Sequence, residues 1–310
     1  MIDYFDCHAD TLTAIEKQGE TLMENTCDVD LKRIRKFAGR STQTFALWKD
    51  AAAVDPEHPE EEFQKTYNRA LELLGEAEDY VSLCTSGAEM EAAHKAGKTA
   101  AFLSVEDISV MGKCVEDIRK LGIRFAMLTW TYENRYACGS KVSQENGLTS
   151  EGKELVKTLI DQKIILDFSH LSDKGAEDIL LMTDTPVIAS HSNVRKICQH
   201  SRNLTDELIR EIIRRKGLIG MNYFLPFVGE QPSISDVLRH MDAVLALGGE
   251  DVLALGGDFD GCSGCFPEGI CGVESIPALR RHMEEAGFGD ALINKIFWEN
   301  GYRFVMENVR

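Results

Sequence analysis

The sequence predicts an α/β fold in which eight parallel strands and their connecting helices close into a (β/α)8 TIM barrel. Short apolar segments alternate with amphipathic segments along the 310 residues. The apolar segments lack the polar alternation of half-exposed strands, which indicates strands covered on both faces. The amphipathic segments repeat their apolar residues every three or four positions, as helices do. Parallel strands with helical crossovers of this kind close naturally into a barrel.

The elements follow one another in a regular order. Strands are predicted at residues 2–6, 43–48, 100–105, 124–130, 164–168, 187–190, 218–223 and 252–256. Helices are predicted at residues 60–78, 150–162, 173–183, 205–216 and 234–247. The helix near Thr205 begins with Asp206 and Glu207, whose negative charge suits a helix N-terminus. We expect the acidic segment 50–62 to be an exposed loop leading into a helix. Residues 276–309 should form one or two extra C-terminal helices packed on the outside.

The composition is typical of a globular enzyme and argues against two classes of partner, nucleic acids and anionic membranes. Its net charge is −17, with 34 basic and 51 acidic residues, which argues against nucleic acid and against anionic membranes. The N-terminus has the features of neither a signal peptide nor a transit peptide. No run of about 18 apolar residues that could span a bilayer is present. Nine scattered cysteines indicate reduced thiols and hence a cytoplasmic location. We find no linker or repeat, so we expect residues 1–310 to form a single domain.

Residues that commonly bind metals follow five of the predicted strands. They are His8 and Asp10 after the first strand, Glu106 after the third, His170 after the fifth, His191 after the sixth and Asp258 after the eighth. The carboxyl ends of parallel barrel strands meet at one mouth, where active sites lie. Each residue alone has a simpler explanation, such as a helix-terminal acid or a core histidine. Their coincidence at successive strand ends predicts a metal-dependent active site at the C-terminal mouth of the barrel.

The residue types indicate which metals would bind. His8 and Asp10 are two apart on a strand, so their side chains face the same side and can share one cation. Glu106 has two carboxylate oxygens and can bridge a pair of ions about 3.5–4 Å apart. A mixed imidazole and carboxylate set suits zinc best, although manganese, iron or cobalt also fit.

The chain resembles the renal (membrane) dipeptidase family, whose members are binuclear zinc peptidases of the amidohydrolase-like barrels. The resemblance runs nearly end to end and is carried by DCHADTL at 6–12, VED at 105–107, NGLTSEG at 146–152, LDFSHLS at 166–172, PVIASHSN at 186–193, SRNLTD at 201–206 and GGDFDG at 256–261. It implies that His8 and Asp10 bind one zinc ion, that His170 and His191 bind the other, and that Glu106 binds both. The chain looks like a bacterial cytosolic relative.

The resemblance also implies a reaction and a substrate. Arg202 corresponds to the arginine that binds the carboxylate of a small dipeptide, and Asp258 to the acid that closes the site. The reaction would be hydrolysis of the peptide bond by a hydroxide that bridges the two ions. Glu106 and Asp258 would be the catalytic carboxylates, with Asp258 accepting a proton and passing it to the leaving amine.

One position departs from the family pattern. Mammalian members have LTHT on the fourth strand, with a histidine that contacts the substrate, whereas this chain has LTWT and places Trp130 there. An indole donates one hydrogen bond but cannot take up a proton. Losing a donor to the developing oxyanion can slow a reaction by about 10²–10³-fold. We therefore expect Trp130 to contact the substrate, and Tyr132, Glu133 or Asn134 in the next loop to compensate.

Two other functions remain open at this point. Deacylases, lactonases and phosphoesterases of the amidohydrolase type use an HxH pair on the first strand and a carboxylated lysine on the fourth. This chain has HAD there and no lysine in RFAMLTW, which favours a dipeptidase. A non-catalytic metal-binding barrel is less consistent with Asp258.

Cys262 and Cys265 have CxxC spacing, but we expect free thiols in a loop at the rim. The sequence leaves a homodimer open.

Overall fold

Eight parallel strands close into a barrel, as the sequence predicts. A computed structural model describes residues 1–15 and 20–310. Its strands are β1 (Ile2–Ala9), β2 (Ala38–Trp48), β3 (Val81–Leu83), β4 (Thr99–Glu106), β5 (Ile123–Met127), β6 (Ile165–Asp167), β7 (Ile188–Ala189), β8 (Leu218–Met221) and β9 (Leu253–Leu255). β1 pairs with both β2 and β9, β2 pairs with β4, and β4 through β9 pair in order, which closes the ring. The short β3 pairs with β4 alone among the described strands.

Helices follow most of the strands and cover the outside of the barrel. They are α1 (Thr11–Ala14), α2 (Leu31–Phe37), α3 (Pro59–Glu76), α4 (Gly87–Lys95), α5 (Ser150–Asp161), α6 (Asp173–Met182), α7 (Asp206–Arg214), α8 (Leu225–Val228), α9 (Ile234–Ala246), α10 (Ile276–Glu285), α11 (Asp290–Asn294) and α12 (Asn300–Asn308). The side chain of Thr205 caps α7 by accepting a hydrogen bond from the Leu208 amide, which satisfies a free N–H of the first turn. In the described part of the chain, no helix is both long and apolar enough to cross a bilayer.

The C-terminal helices seal the end of the barrel opposite the strand C-termini. Phe5, Phe102 and Phe125 fill the lower barrel interior and belong to one buried cluster with Trp298 and Phe304 from the last helical segment. The sequence predicts these helices on the outside of the barrel, whereas α12 lies across its N-terminal end. A large apolar plug at this end leaves the polar strand ends to line the opposite mouth.

Several elements differ from the prediction for identifiable reasons. The pair β3 and α4 is absent from the prediction, because a three-residue strand carries little periodicity. The two predictions that overlap at Glu60–Glu62 are resolved in favour of the helix, because α3 begins at Pro59, within one residue of the predicted start at 60. Pro59 opens this helix and the three acids follow it, an arrangement that suits a helix N-terminus.

Candidate metal centre and active site

Six ligand-type side chains converge at the C-terminal mouth of the barrel. They are His8, Asp10, Glu106, His170, His191 and Asp258, each less than 10% exposed to solvent. His8 lies within β1 and Glu106 is the last residue of β4. Asp10, His170, His191 and Asp258 each lie within three residues of the end of a barrel strand. Parallel strands deliver their C-terminal residues to one rim, so sequence separations of more than 200 residues disappear in the fold.

Glu106 lies between the two halves of this cluster. One carboxylate oxygen, Oε1, is 2.8 Å from Nε2 of His170. The other, Oε2, is 3.3 Å from Nε2 of His8, and the same nitrogen of His8 is 3.3 Å from Oδ2 of Asp10. Two triads therefore share Glu106: one contains His8 and Asp10, and the other contains His170 and His191.

The two neutral histidines have their outer nitrogens occupied by hydroxyl groups. Nδ1 of His170 is 2.6 Å from Oγ1 of Thr131, and Nδ1 of His191 is 2.8 Å from Oγ of Ser190. Their inner Nε2 atoms lie 2.8 Å apart. An outer hydrogen bond fixes the tautomer and the ring plane of a metal-binding histidine. When each hydroxyl accepts the Nδ1 proton, both inner Nε2 lone pairs are available to one cation beside Glu106.

Electrostatics in this buried cluster favour added positive charge. Burial raises the pKa of Glu106 to about 8, and the nearby Asp10 carboxylate contributes to the increase. Burial acts to lower the pKa of His8, but Asp10 and Glu106 outweigh it and raise that pKa well above its ordinary value. Burial holds the pKa of His170 and His191 well below the ordinary range, so both rings are neutral and able to act as ligands. Three carboxylates in a low-dielectric pocket are costly unless cations compensate them.

These residues fit a pair of divalent cations. Oδ1 of Asp10 is buried and lacks a hydrogen-bond partner among the described atoms. The two Nε2 atoms of His170 and His191 face each other, an arrangement that two lone pairs adopt when a common ion binds both. Imidazole and carboxylate are the donor types that zinc accepts at catalytic sites. Oδ1 of Asp10 thus supplies a metal-binding atom to one half of the cluster, and the Nε2 atoms of His170 and His191 supply two to the other half.

Asp258 closes the cluster from the last strand. Its Oδ1 is 3.8 Å from Nε2 of His8, and its Oδ2 accepts a hydrogen bond of 2.9 Å from Nδ2 of the Asn222 side chain. Burial raises the pKa of Asp258 to about 6, against the lowering influence of the His8 charge. Residue 258 has a φ of +56° and His170 has a φ of +70°. Non-glycine residues in this left-handed region are strained and concentrate at functional sites, where the surrounding contacts hold them.

Glycines allow the strands to approach closely below the cluster. A Cβ atom on Gly220 would lie 1.9 Å from the carbonyl oxygen of Ser190, and one on Gly256 would lie 1.8 Å from the same atom. Only glycine fits at these two positions, because any other residue would overlap backbone. The close packing brings the ends of β7, β8 and β9 together where His191 and Asp258 emerge.

A cavity of about 630 Å³ opens directly above the cluster. Glu106, His170 and Asp258 form part of its floor, and the walls include Trp48, Trp130, Tyr132, Lys141, His200, Arg202, Phe224 and Phe227. Pockets for small ligands commonly occupy about 300–1,000 Å³ and combine apolar walls with a few convergent polar groups. A dipeptide-sized ligand would be largely enclosed here, with its polar atoms near the floor.

Arg202 lies beside the floor as a buried cation. Its Nη1 is 3.4 Å from Oγ of Ser192, its Nη2 is 3.2 Å from the carbonyl oxygen of His191, and its Nε has no partner among the described atoms. The guanidinium carbon lies 5.2 Å from the centre of the Phe227 ring. Burial lowers the pKa of Arg202 to about 10, although Asp258 opposes this change. A buried guanidinium whose contacts are neutral groups is suited to an incoming carboxylate.

Trp130 and Asn134 occupy different places relative to the cavity. Trp130 lines the cavity, and its ring centre lies 5.3 Å from that of Trp48 and 6.0 Å from that of His170. Asn134 lies behind the wall, where its Nδ2 donates to Oδ1 of Asp107 and to a carbonyl, and its Oδ1 accepts two backbone amides. A direct contact between Asn134 and a ligand would require some of these hydrogen bonds to break.

Several neighbours of the cluster are not apparent from the sequence. Thr131 and Ser190 orient histidines, Asn222 orients Asp258, and His200 lines the cavity and accepts the Arg202 amide at Nδ1. Asp260 is partly buried and accepts hydrogen bonds from Thr11 and from the backbone amide of Asp28. Serine, threonine and asparagine are common in every context, so only their proximity in space reveals these roles. The adjacency of Thr131 and Ser190 to predicted site residues is the one available signal.

A parallel barrel with buried histidines and carboxylates at its C-terminal mouth defines the class of metal-dependent barrel hydrolases. A sequence model described as membrane dipeptidase, peptidase family M19, matches residues 1–310. The chain belongs to this family, as its motifs indicate. It is accordingly a metal-dependent dipeptidase.

Individual relatives agree with this assignment. The fold is similar to that of a metallopeptidase of family M19, dipeptidase AC, at 26% identity and a TM-score of 0.89, with 99% of this chain and 98% of that chain covered. It is also similar to a Rhodobacter sphaeroides metallopeptidase bound to a phosphinate mimic of the dipeptide L-Ala-D-Ala, at 26% identity and a TM-score of 0.83, with 100% and 99% covered. Dipeptidase tcpJ of Claviceps purpurea is 29% identical over 238 residues, which cover 70% of this chain and 55% of that relative.

Proposed function

We propose that the protein hydrolyses dipeptides at a centre of two zinc ions. His8 and Asp10 would bind one ion, His170 and His191 the other, and Glu106 both. The observation that carries this proposal is the position of Glu106, whose two oxygens face Nε2 of His170 at 2.8 Å and Nε2 of His8 at 3.3 Å. A carboxylate shared in this way is the common bridge of two-metal sites.

The substrate would be held by its free carboxylate. Arg202 presents a planar pair of donors in a buried wall of the cavity, and its present contacts are a hydroxyl and a carbonyl. A dipeptide carboxylate would form a bidentate pair with the guanidinium, an arrangement that Arg forms better than Lys. This pairing would place the scissile carbonyl over Glu106 and Asp258 on the cavity floor and restrict the substrate to short peptides with an unblocked end.

The chemistry then requires one proton transfer in each direction. Two bound zinc ions would lower the pKa of a water molecule and polarise the scissile carbonyl. Asp258 would accept the proton that the water loses as its oxygen adds to the carbonyl carbon. The carboxylic acid of Asp258 would return that proton to the amine as the C–N bond breaks. Asn222 supports this role, because its amide holds Oδ2 of Asp258 and leaves Oδ1 directed towards the cluster.

Trp130 would narrow the choice of substrate. Its indole occupies cavity wall beside His170 and offers at most one donor to a developing oxyanion. We propose slow turnover of common L,L-dipeptides and preference for a narrow set. Dipeptides with a C-terminal D-residue are the first candidates, since a similar metallopeptidase binds a mimic of L-Ala-D-Ala.

We propose a cytoplasmic setting without nucleic-acid or membrane partners. The net charge of −17 disfavours both polyanions and anionic lipids. The nine cysteines are scattered along the chain, which suits a reducing compartment, and Cys262 and Cys265 would be free thiols in a loop at the rim. Residues 1–310 would form one domain, and limited proteolysis that releases no stable fragment would support this. A homodimer stays a prediction, to be tested by sedimentation velocity.

A dipeptide panel tests the proposed activity. Wild-type protein, stripped with a chelator and then restored with zinc, would be assayed on L,L- and L,D-dipeptides and on their C-terminal amides. We expect hydrolysis of some free dipeptides by the restored protein and none by the stripped protein. Turnover of acylated amino acids, lactones or phosphoesters in preference to every dipeptide would contradict the proposal.

A further inference from the structure

Two buried aspartates lie below the cluster in equivalent positions. Asp6 on β1 is 0% exposed and Asp167 at the end of β6 is 1% exposed. Neither belongs to the sets of side chains able to share a metal ion at the mouth. Each lies on a strand that delivers a candidate ligand, and each is hydrogen-bonded to backbone amides of two neighbouring strands.

Asp6 connects the ends of β1 and β9. Its Oδ1 accepts a hydrogen bond of 2.9 Å from the amide of His8, and its Oδ2 accepts one of 3.1 Å from the amide of Gly257. Oδ1 also accepts from the side chain of Gln43 at 3.3 Å. The two amides belong to His8 itself and to the residue that precedes Asp258, so one carboxylate holds both backbones in place.

Asp167 connects the ends of β6 and β7 in the same way. Its Oδ1 accepts hydrogen bonds from the amides of Ser169 at 2.9 Å and Ser190 at 3.1 Å. These residues immediately precede His170 and His191. Unlike Asp6, Asp167 uses a single oxygen, and its Oδ2 has no partner among the described atoms.

The register of the strands shows that Asp6 and Asp167 occupy equivalent positions and make equivalent hydrogen bonds. Asp6 is paired with Leu255 and Asp167 with Ile188. Each carboxylate binds the amide two residues ahead on its own strand and the amide two residues beyond its partner on the next strand. The regular pairing of β1 with β9 and of β6 with β7 is interrupted beyond these aspartates, and the first pair resumes as a bridge between Ala9 and Phe259. The side chains therefore supply acceptors where the strand ladders are interrupted and buried amides would otherwise lack partners.

We propose that Asp6 and Asp167 are positioning residues that set the spacing of the metal ligands. Asp6 fixes His8 relative to Asp258, and Asp167 fixes His170 relative to His191. This inference rests on the proposed function for the identity of the ligands. Interactions that support ligands typically contribute about 10–100-fold to metal affinity.

Isosteric substitutions separate hydrogen bonding from charge. In Asp167→Asn, the remaining Oδ1 can accept both amides and the new Nδ2 replaces an oxygen that lacks a partner, so we expect zinc affinity within a few-fold of wild type. Both oxygens of Asp6 accept hydrogen bonds from N–H groups. In Asp6→Asn, the new NH₂ group therefore faces one of these N–H donors in either orientation of the side chain, and one hydrogen bond is lost. We expect Asp6→Asn and Asp167→Ala to bind zinc about 10–100-fold more weakly.

Asn300→Ala is a matched control for loss of a buried polar group. Asn300 is fully buried and donates to the carbonyls of Glu250 and Leu253 at the other end of β9, far from the mouth. This variant should lose thermal stability and keep wild-type zinc affinity. Zinc affinity would be measured by competition with a chromophoric chelator, on protein shown to be folded by circular dichroism.

Amide hydrogen exchange of the metal-free protein provides a readout independent of the proposed function. Asp167→Ala should accelerate exchange at Ser169 and Ser190 more than at His8 and Gly257, and Asp6→Asn should do the reverse. Should Asp167→Ala not fold, the two Asn variants still test the predicted asymmetry. Equal zinc affinity and equal local exchange in Asp6→Asn and Asp167→Asn would overturn the inference. A wild type that binds no zinc would instead refute the proposed function, while the exchange comparison would still decide the positioning role.

Discussion

Nε2 of His170 lies 2.8 Å from Nε2 of His191, and the outer nitrogen of each ring contacts a hydroxyl group. Burial keeps both imidazoles neutral by holding their pKa well below the ordinary range. With the Nδ1 protons directed at the hydroxyl groups, both inner Nε2 atoms present lone pairs that one cation can accept. The convergence of the two rings beside Glu106 is therefore the clearest structural argument for metal binding in the barrel mouth.

Glu106→Ala should reduce the number of tightly bound ions from two to fewer than two per chain. One triad contains His8 and Asp10, and another contains His170 and His191. Among the described residues, Glu106 is the side chain that these two triads share. Removing its carboxylate takes one donor from each ion. Elemental analysis after incubation with excess zinc and desalting measures this directly. Asp260→Asn serves as a control, because Asp260 contacts Thr11 and Asp28 instead.

Arg202→Ala should lose most of the kcat/KM for free dipeptides. Breaking one side of a buried charged pair typically costs about 3–5 kcal/mol, which corresponds to roughly two to four orders of magnitude in rate. Steady-state kinetics of wild type and variant on a free dipeptide and on its C-terminal amide provide the measurement. Arg202→Lys keeps the charge but not the planar pair of donors, so it should recover only part of the loss. Equal wild-type turnover of amide and free acid would rule out the carboxylate role.

Trp130→His should raise kcat on at least one ordinary L,L-dipeptide and broaden the accepted set. An imidazole would take less space beside His170 and could donate to the developing oxyanion with a positive charge. Metal content is the control, since Trp130 is not among the ligand-type residues of the cluster. A variant with full metal content and no gain in rate or breadth would show that Trp130 serves only in packing.

His240 should make stability fall at acidic pH. Its Nδ1 accepts from the amide of Val194 and its Nε2 donates to the carbonyl of Val228, an arrangement that requires the neutral ring. Burial lowers the pKa of His240, and Arg239 acts in the same direction while Asp236 opposes it. Below about pH 6.5 the imidazole of His240 becomes protonated in the unfolded chain, whereas in the native protein it stays neutral to a lower pH. The free energy of unfolding therefore decreases as pH falls below this value, by at most about 1.4 kcal/mol per pH unit.

Urea unfolding of wild type and His240→Gln at several pH values isolates this contribution. The glutamine variant should be less stable near neutrality, because a hydrogen bond is strained or lost, and the difference between the two proteins should shrink as pH falls. Buried histidines of the metal cluster affect both proteins alike and cancel in the comparison. A difference that stays constant from pH 7.5 to 5.5 would exclude titration of His240 as the cause.

The eight barrel strands could be predicted because each is a buried apolar run followed by a turn. The site residues could be predicted as candidates because histidines and carboxylates are unusual directly after such runs. β3 and α4 could not, since a strand as short as Val81–Leu83 leaves no pattern. The position of α12 across the barrel end depends on which surface remains uncovered once the other helices are packed.

The supporting residues illustrate what the sequence leaves undetermined. Thr131 and Ser190 orient their histidines through contacts that depend on ring rotation and on left-handed backbone at Thr131 and His170. Asn134, predicted to contact the substrate, uses its side-chain amide in this structure to organise a loop behind Asp107. Its role in substrate binding stays a prediction, and the sequence could not show the loop contacts, because the chemistry of an amide permits either role.

Zinc titration of the stripped protein tests the central claim most directly. Defined equivalents of zinc would be added to metal-free wild type while hydrolysis of the best dipeptide in the panel is followed. Because Glu106 joins two triads, we predict that activity rises steeply only when the second equivalent binds and then reaches a plateau at two ions per chain. Full activity at one equivalent, or zinc-independent hydrolysis, would contradict a binuclear dipeptidase centre.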